Sequence, residues 1–418
     1  MNKMAANLSV LDVALGGRPV GTLTLLPGDQ TLFVFDPSYI GDPARPTLSL
    51  CFKDAFGGLI TDMRPTRARV PPFFSNLLPE GALRTYLAQK AGVNPGREFF
   101  LLWVLGRDLP GAVTIEPADG EPWLPETEGS KTSDQNASES ILRFSLAGVQ
   151  LKFSAVSEAA GGLTIPAQGV GGNWIVKLPS MKYRSVPENE LAMMTLARSV
   201  GIDVPDGFLV PLGNIANLPP DVARLEGPAL AVKRFDRTQD GRAVHIEDFA
   251  QVFGLYPERK YERASYSSIA NVLIAETGAA GVEEFVRRLV FNALIGNADM
   301  HLKNWSLIYP DGKNAALAPA YDFVSTIAYL PDTKMALTLG RSKQMIDLSE
   351  DQLAYFAAKA RLAEKRILAV GRQTVERFID AWNGSNAERG ADPWLFGPIG
   401  ELLQRIPLVK EVAPGALR

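Results

Sequence analysis

The stretch Gly296-Asn297-Ala298-Asp299-Met300-His301-Leu302-Lys303-Asn304 constrains this chain more than any other. Before it, Val282, Phe285, Val286, Leu289, Val290 and Leu294 recur at three- and four-residue spacings, which puts them on one face of a helix. Gly296 stands where a left-handed residue would end that helix. After it, Trp305 to Tyr309 reads as a short apolar strand. Asp311-Gly312 is a turn signal, and Ala315 to Ala318 supplies the returning strand of a hairpin. Tyr321-Asp322-Phe323 follows.

Helix, polar loop, hairpin and aspartate is the order of parts in a protein-kinase active site. Asp299 and Asn304 are five residues apart, the offset between the catalytic Asp and the Mg-binding Asn of a kinase loop. Asp322 stands where a second metal-binding carboxylate belongs. Mg²⁺ takes hard carboxylate and amide oxygens. An attacking hydroxyl needs a carboxylate within hydrogen-bond reach. A lone D-x-x-x-x-N usually only shapes a turn. The helix before it and the hairpin plus Asp after it favour the catalytic reading.

Composition narrows the class. A chain of 418 residues predicts two or three domains with sizeable cores. Its 46% apolar and 21% charged content is that of an ordinary globular protein. A net charge of −3 argues against nucleic-acid binding through the whole surface. Cys51 is the only cysteine, so no intramolecular disulfide can form, which suits the cytoplasm. The N-terminus lacks a basic region followed by an apolar core, so no signal peptide is expected. No apolar run reaches about 18 residues, so no membrane span is expected. Two histidines, His245 and His301, and one cysteine argue against a zinc site.

Taken in order, residues 1–116 read as a β-rich subdomain, with strands at 8–15, 20–26 and 31–35 and helices near 82–91 and 99–105. Residues 117–139 are rich in Glu, Asp, Ser, Thr, Pro and Gly and read as a linker. Residues 140–236 read as a nucleotide-binding lobe. There, Ser145 to Lys152 places small residues and a lysine between strand-like segments, so backbone N–H groups could approach phosphates. Alone, that pattern is more often an ordinary hairpin turn. The strand Trp174 to Pro179 carries Lys177 among apolar residues, either held for phosphates or snorkelling from an edge. A helix from about Ser185 to Ser199, with Ser185 or a neighbour as cap, Pro187 in its first turn and Gly201 as its stop, brings Glu190 forward as a partner for Lys177 or as a solvated first-turn residue. Leu230 to Arg237 reads as a hinge with backbone groups free to bind adenine. Residues 237–418 read as a mainly helical lobe, with a capping box at Ser349 to Gln352 and helices over 362–382 and 393–403.

These parts together resemble the HipA-type serine/threonine kinases, toxins of bacterial toxin–antitoxin pairs. Phe73 to Pro79, Gly106 to Ala112, Ser145 to Lys152, Val176 to Pro179 and Asn189-Glu190 carry the resemblance. So do Val232 to Arg237, Glu247 to Phe249, Lys260 to Glu262, Ile295 to Asn304 and Tyr321-Asp322. The resemblance implies an α+β, two-lobed protein-kinase-like fold. It implies Asp299 as catalytic base, Asn304 and Asp322 as Mg²⁺ ligands, and ATP bound by Ala147, Gly148, Val149, Gln150, Lys152, Lys177, Lys233, Phe235 and His301, together with those two ligands. For His301 a packing role is the plainer alternative.

Ser145 matches the family's autophosphorylated serine, a site whose modification switches the enzyme off; capping a turn is its alternative role. Lys233, Leu151 and Met300 depart from the family pattern, where an acidic residue, a Glu and a Gly are found. The implied partners are a HipB-like helix-turn-helix antitoxin, operator DNA reached only through it, and a protein substrate such as an aminoacyl-tRNA synthetase, whose phosphorylation arrests translation. A catalytically silent, nucleotide-binding co-repressor is the alternative function. A small-molecule phosphotransferase would share the same Asp, Asn and Asp.

Overall fold

The computed structural model describes residues 9–118, 151–157, 163–165, 171–218, 225–385, 390 and 392–416. The β-rich subdomain opens with β1 (Val10–Leu15), β2 (Arg18–Leu26) and β3 (Gln30–Phe35). Strand β1 alternates, burying Leu11, Val13 and Leu15 while Asp12 is exposed, the two-residue period of a half-buried strand. With β4 (Thr66–Arg67) and β5 (Val113–Pro117) the sheet order is β4-β3-β2-β1-β5, and every neighbouring pair is antiparallel. Phe33, Phe35, Phe52, Phe73 and Phe74 fill its core, with ring centroids 4.7–5.8 Å apart. Helices α1 (Gly81–Lys90) and α2 (Glu98–Leu105) fall where the sequence predicts them.

A second sheet has the order β10-β7-β6-β8-β11-β9. Its middle strands are β6 (Lys152–Ser157), β8 (Trp174–Lys177) and β11 (Ala229–Lys233), with β7 (Leu163–Thr164), β9 (Gly207–Val210) and β10 (Ile215–Ala216) outside them. Helix α3 (Val186–Val200) crosses behind it and buries Asn189, Glu190, Met193, Met194, Ala197 and Val200, a helical stripe. Ser185 precedes this helix in a left-handed conformation, φ 50°, and its side chain makes no cap bond. The predicted cap is therefore absent, while Pro187 in the first turn and left-handed Gly201 at the end match the sequence reading.

The C-terminal lobe is built on α5 (Gly278–Leu294), flanked by α4 (Tyr266–Glu276) and α7 (Glu364–Gly384). The one-face reading of α5 proves too narrow. Arg288 and Asn292 are buried as well, with Arg288 donating to Ala318 O at 2.6 Å and to Glu284 Oε1 at 2.7 Å. These bonds make burial of that charge tolerable. Helix α6 (Glu350–Lys359) is capped by Ser349 Oγ, but Gln352 does not close the predicted box; its Oε1 accepts from Arg341 N at 3.0 Å instead.

Helix α8 (Pro393–Leu403) matches its predicted span, and α9 (Pro407–Val412) follows. This lobe also holds a three-stranded sheet, β12-β13-β14 (His245–Asp248, Ser306–Tyr309, Ala316–Leu317), and the hairpin of β15 (Lys334–Leu339) with β16 (Ser342–Gln344). Of these the sequence reading anticipates only β13 and β14.

Two buried ionic joints tie the subdomain to the rest. Asp236 accepts from Gly111 N at 2.9 Å and from Arg234 through both oxygens, at 2.9 and 2.7 Å. Gly111 has φ 76°, and a Cβ there would lie 2.8 Å from Ile246 N, so only glycine fits this close approach. Glu247 accepts from Ser49 Oγ at 2.5 Å, Leu50 N at 3.0 Å and Tyr309 OH at 2.5 Å. Burial pushes its carboxyl up to about 7 against those donors.

Candidate active site

Helix α5 ends at Leu294 with Ile295 as its C-cap, and Gly296 takes the left-handed turn predicted for it, φ 70°. A Cβ at Gly296 would sit 2.5 Å from Ile327 Cγ2. The loop that follows is knitted by its own polar groups. Asn297 N donates to Asn292 O at 2.9 Å, and Asn297 Nδ2 to Asn292 Oδ1 at 2.8 Å. Asn297 Oδ1 receives Asp299 N at 3.0 Å. Asn304 Nδ2 donates to Asp299 O at 2.9 Å, so the two ends of the D-x-x-x-x-N segment meet. Asn297 Nδ2 also reaches Asp322 O at 3.4 Å, joining this loop to the one beyond the hairpin.

Asp322 itself has φ 56°, a backbone state that costs a non-glycine residue on the order of 1 kcal/mol and recurs at functional sites. Lys177, at the end of β8, is 8% exposed. Its Nζ lies 2.5 Å from Glu190 Oε1 and bonds also to Asp322 Oδ1. The sequence-level pairing of Lys177 with Glu190 is therefore present, and the snorkelling alternative is not.

One ammonium serves two carboxylates. Burial works against the Lys177 charge, but Asp322 and Glu190 outweigh it and lift its pKa. Burial likewise opposes ionised Asp322, yet Lys177 and Lys152 hold its carboxyl well below the usual range. Glu190 is 1% exposed, and there burial prevails over Lys177 and pushes the carboxyl up. Glu190 Oε2 has no hydrogen-bond partner among the described residues. Lys152 lies directly across β6–β8 from Lys177.

Asp299 is exposed, and its Oδ1 accepts from Tyr261 OH at 2.6 Å. His301 is buried, with the Tyr261 ring edge-on at 5.0 Å, and its Nδ1 has no partner among the described residues. Burial, opposed by Asp299, holds its pKa down to about 4, so it is neutral near pH 7. That is the packing arrangement the sequence left open. Met300 is buried in the lobe's core, and Leu151 packs in the core of the second sheet, so both departures from the family pattern are absorbed by packing.

Phe235 stacks at a tilt on Tyr321, with centroids 5.7 Å apart. At the hinge one expectation is corrected: Lys233 N donates to Asp206 O and Arg234 N to Asn173 O, each at 2.8 Å, so these donors are not free for adenine. Neighbouring chain segments have taken them, as buried backbone requires. The side chain of Lys233 is exposed. Ser145, Ala147, Gly148, Val149 and Gln150 lie outside the described residues, as does most of the expected linker.

Sequence reasoning missed Tyr261, Asn76 and Glu80 as individual residues. Their only signal was membership of the motif segments Phe73 to Pro79, which Glu80 closely follows, and Lys260 to Glu262.

Among the described residues no group of three or more His, Cys, Asp and Glu could hold a metal ion, and no helix is long and apolar enough to cross a membrane. A family model described as the HipA-like C-terminal domain matches residues 144–382, and one described as the HipA N-terminal domain matches residues 11–116. The chain belongs to the HipA family.

Two relatives from Sinorhizobium fredii are named "Putative kinase Y4dM" and "Putative kinase Y4mE". The first is 58% identical over 90% of this chain and 91% of its own length, and the second 31% identical over 89% and 90%. The serine/threonine-protein kinase toxin HipA of Shewanella oneidensis is 28% identical over 78% of this chain and 77% of its own. A solved structure of that organism's HipA, with HipB and operator DNA, shares the fold at TM-score 0.73 and 24% identity, covering 96% of this chain and 99% of its own. The architecture is thus the two-lobed, kinase-like HipA fold.

Proposed function

We propose that this HipA-family chain is an ATP-dependent serine/threonine-protein kinase and the toxin of a toxin–antitoxin pair. The observation that carries the reading is the junction of Lys177, Glu190 and Asp322, with the Asp299–Asn304 loop bonded to it through Asn297. The donor set fits Mg·ATP. Asp322 offers a carboxylate, and Asn304 keeps its amide oxygen available because Nδ2 is spent on Asp299 O. These two hard oxygens are of the kind that would hold Mg²⁺. Bound Mg²⁺ supplies charge neutralisation on the transferring phosphoryl group.

In this reading Lys177 meets the ATP phosphates and is itself oriented by Glu190. Asp299 takes the proton of the acceptor hydroxyl, and Phe235 flanks the adenine with Lys233 beside it. Lys152 and the segment Ala147, Gly148, Val149 and Gln150 cover the phosphates, and His301 lines the site while packing against Tyr261. Catalysis then rests on positioning and fixed charge more than on covalent chemistry.

The finer parts of the proposal follow the family. The target is a serine of a cytoplasmic protein, an aminoacyl-tRNA synthetase being the first to test, and its modification arrests translation and growth. A HipB-like antitoxin neutralises the chain and carries it to operator DNA. Autophosphorylation of Ser145 adds roughly −1.5 to −2 charge to the phosphate loop and turns the enzyme off. Residues 1–116, 117–139, 140–236 and 237–418 serve as subdomain, linker, nucleotide-binding lobe and catalytic lobe.

The test incubates purified protein with Mg·ATP, with and without synthetase candidates, and maps phosphosites by mass spectrometry. Phosphoserine on a synthetase and on Ser145 is expected. Tight ATP binding without any transfer would favour the silent co-repressor instead.

A further inference from the structure

Lys303 lies inside the candidate catalytic loop, one residue before Asn304, yet its partners come from elsewhere. Its Nζ reaches Asn76 O at 2.9 Å, Asn76 Oδ1 at 3.1 Å, Glu80 Oε1 at 3.3 Å and Asp248 Oδ2 at 3.4 Å. Asn76 and Glu80 belong to the β-rich subdomain. Glu80 stands at the N-cap of α1 but makes no cap bond there. Its other oxygen, Oε2, takes Lys260 Nζ at 3.0 Å, so one subdomain carboxylate clamps two lysines of the catalytic lobe. These side chains are 12–34% exposed, so their attraction is weakened less by solvent than that of a surface pair. Two ammonium groups face two carboxylates, and deleting Glu80 leaves Lys260 without its carboxylate, as deleting Lys303 leaves Asp248 without its ammonium.

The second lysine leads on to the base. Lys260 O accepts the N–H of Leu302, at the middle of the loop, at 3.1 Å. The next residue, Tyr261, gives its hydroxyl to Asp299 Oδ1 and lays its ring edge against His301. Glu262 N closes onto Arg259 O at 2.9 Å, so the backbone under Tyr261 is a bonded turn. Asp299 is otherwise an exposed carboxylate that would sample several rotamers, and Tyr261 holds one oxygen while leaving Oδ2 for an acceptor.

We propose that Glu80 and Tyr261 are positioning residues of the catalytic loop, and that the β-rich subdomain is through them a working part of the active site. Glu80 fixes Lys303 and Lys260, Lys260 fixes the backbone at Leu302, and Tyr261 fixes the Asp299 carboxylate. The inference rests on the kinase reading for its consequence in rate, and on the contacts alone for its consequence in loop order.

The test uses the full chain and the variants Glu80→Gln, Glu80→Asp, Tyr261→Phe and the Glu80→Gln/Tyr261→Phe double. Autophosphorylation at saturating Mg·ATP is followed with radiolabelled nucleotide, ATP affinity by calorimetry, and hydrogen–deuterium exchange by peptide. Glu80→Gln and Tyr261→Phe should each slow transfer roughly ten- to hundredfold while ATP affinity stays within about twofold, because misplacement of the base acts on kcat. Glu80→Asp, which keeps the charge, should recover part of the rate. The double variant should lose much less than the product of the two singles, since both act on one loop. Glu80→Gln should also speed exchange across 297–304 and leave β8 unchanged, a result that needs no ATP.

Unchanged exchange in 297–304 overturns the proposal, as do losses that multiply in the double variant. A faster Tyr261→Phe enzyme would make the tyrosine a plug and overturn it too. If the unmodified chain transfers no phosphate, the kinase reading fails by itself and exchange alone decides the positioning claim.

Discussion

Replacing Lys177 with methionine isolates the charge at the centre of the site. The substitution keeps most of the side-chain length and deletes the ammonium shared by Glu190 and Asp322. Asp322 has 31% of its side chain exposed and can be rehydrated, whereas Glu190 has 2% and cannot. Glu190 must then fold in its protonated form. Taking a carboxyl of ordinary pKa about 4.5 to its neutral form at pH 7 costs about 2.5 × 1.36, or roughly 3.4 kcal/mol. Burial already pushes Glu190 up in the unmodified chain, so the net loss is smaller than this.

The sign follows from linkage. A folded pKa raised above the unfolded one gives stability that is fully present at low pH and lost as pH rises through the folded value. The penalty should therefore be largest at pH 7 and above and shrink towards pH 4.5. Urea unfolding of the variant and the unmodified chain at pH 7.5 and pH 5 measures it. The double variant Lys177→Met/Glu190→Leu should recover part of the loss, because an apolar pair needs no compensation. A penalty equal at both pH values, or a double variant worse than the single, would refute the claim that Lys177 offsets the burial of the Glu190 carboxylate.

Asp322→Asn should weaken Mg-dependent ATP affinity roughly tenfold or more by removing a formal charge from the metal shell; calorimetry with and without Mg²⁺ reads it. Gly296→Ala should lower stability by about 1–3 kcal/mol, since the residue sits at φ 70° with Ile327 Cγ2 2.5 Å from a Cβ, and thermal unfolding reads it. His245 is buried, its Nε2 bonded to Leu48 O at 2.7 Å, and its pKa is held down to about 4. As pH falls from 6.5 towards 4 the unfolded chain takes a proton that folded His245 refuses, which removes about 3 kcal/mol. His245→Phe should flatten that share of the acid limb in urea unfolding at pH 7 and 4.5, and an unchanged limb would show that His245 is not held neutral.

Local order was legible where local physics decides it. The first strand, found at Val10–Leu15, the helix α3 and the Gly296 terminus all appear as read. The Lys177–Glu190 pair was legible because a lysine among strand apolars needs a partner. Other features were set by distant contacts. His245–Asp248 becomes a strand because β13, some sixty residues later, offers it an edge, and no periodicity within four residues announces that. The hinge donors at Lys233 and Arg234 look free in sequence and are taken by Asp206 and Asn173 in space. The Glu80 clamp joins Glu80 to Lys260, 180 positions away, and to Lys303, farther still, and neither end signals the other.

The central claim is that Asp299 is the base while Asn304, Asp322 and Lys177 hold Mg·ATP. Its most direct test measures ATP affinity and radiolabelled phosphate transfer on one preparation of Asp299→Asn beside the unmodified chain. The account predicts ATP affinity within about twofold and transfer lowered by roughly 10²–10⁴-fold, the usual contribution of a general base. Transfer near the unmodified rate with ATP still bound would contradict it.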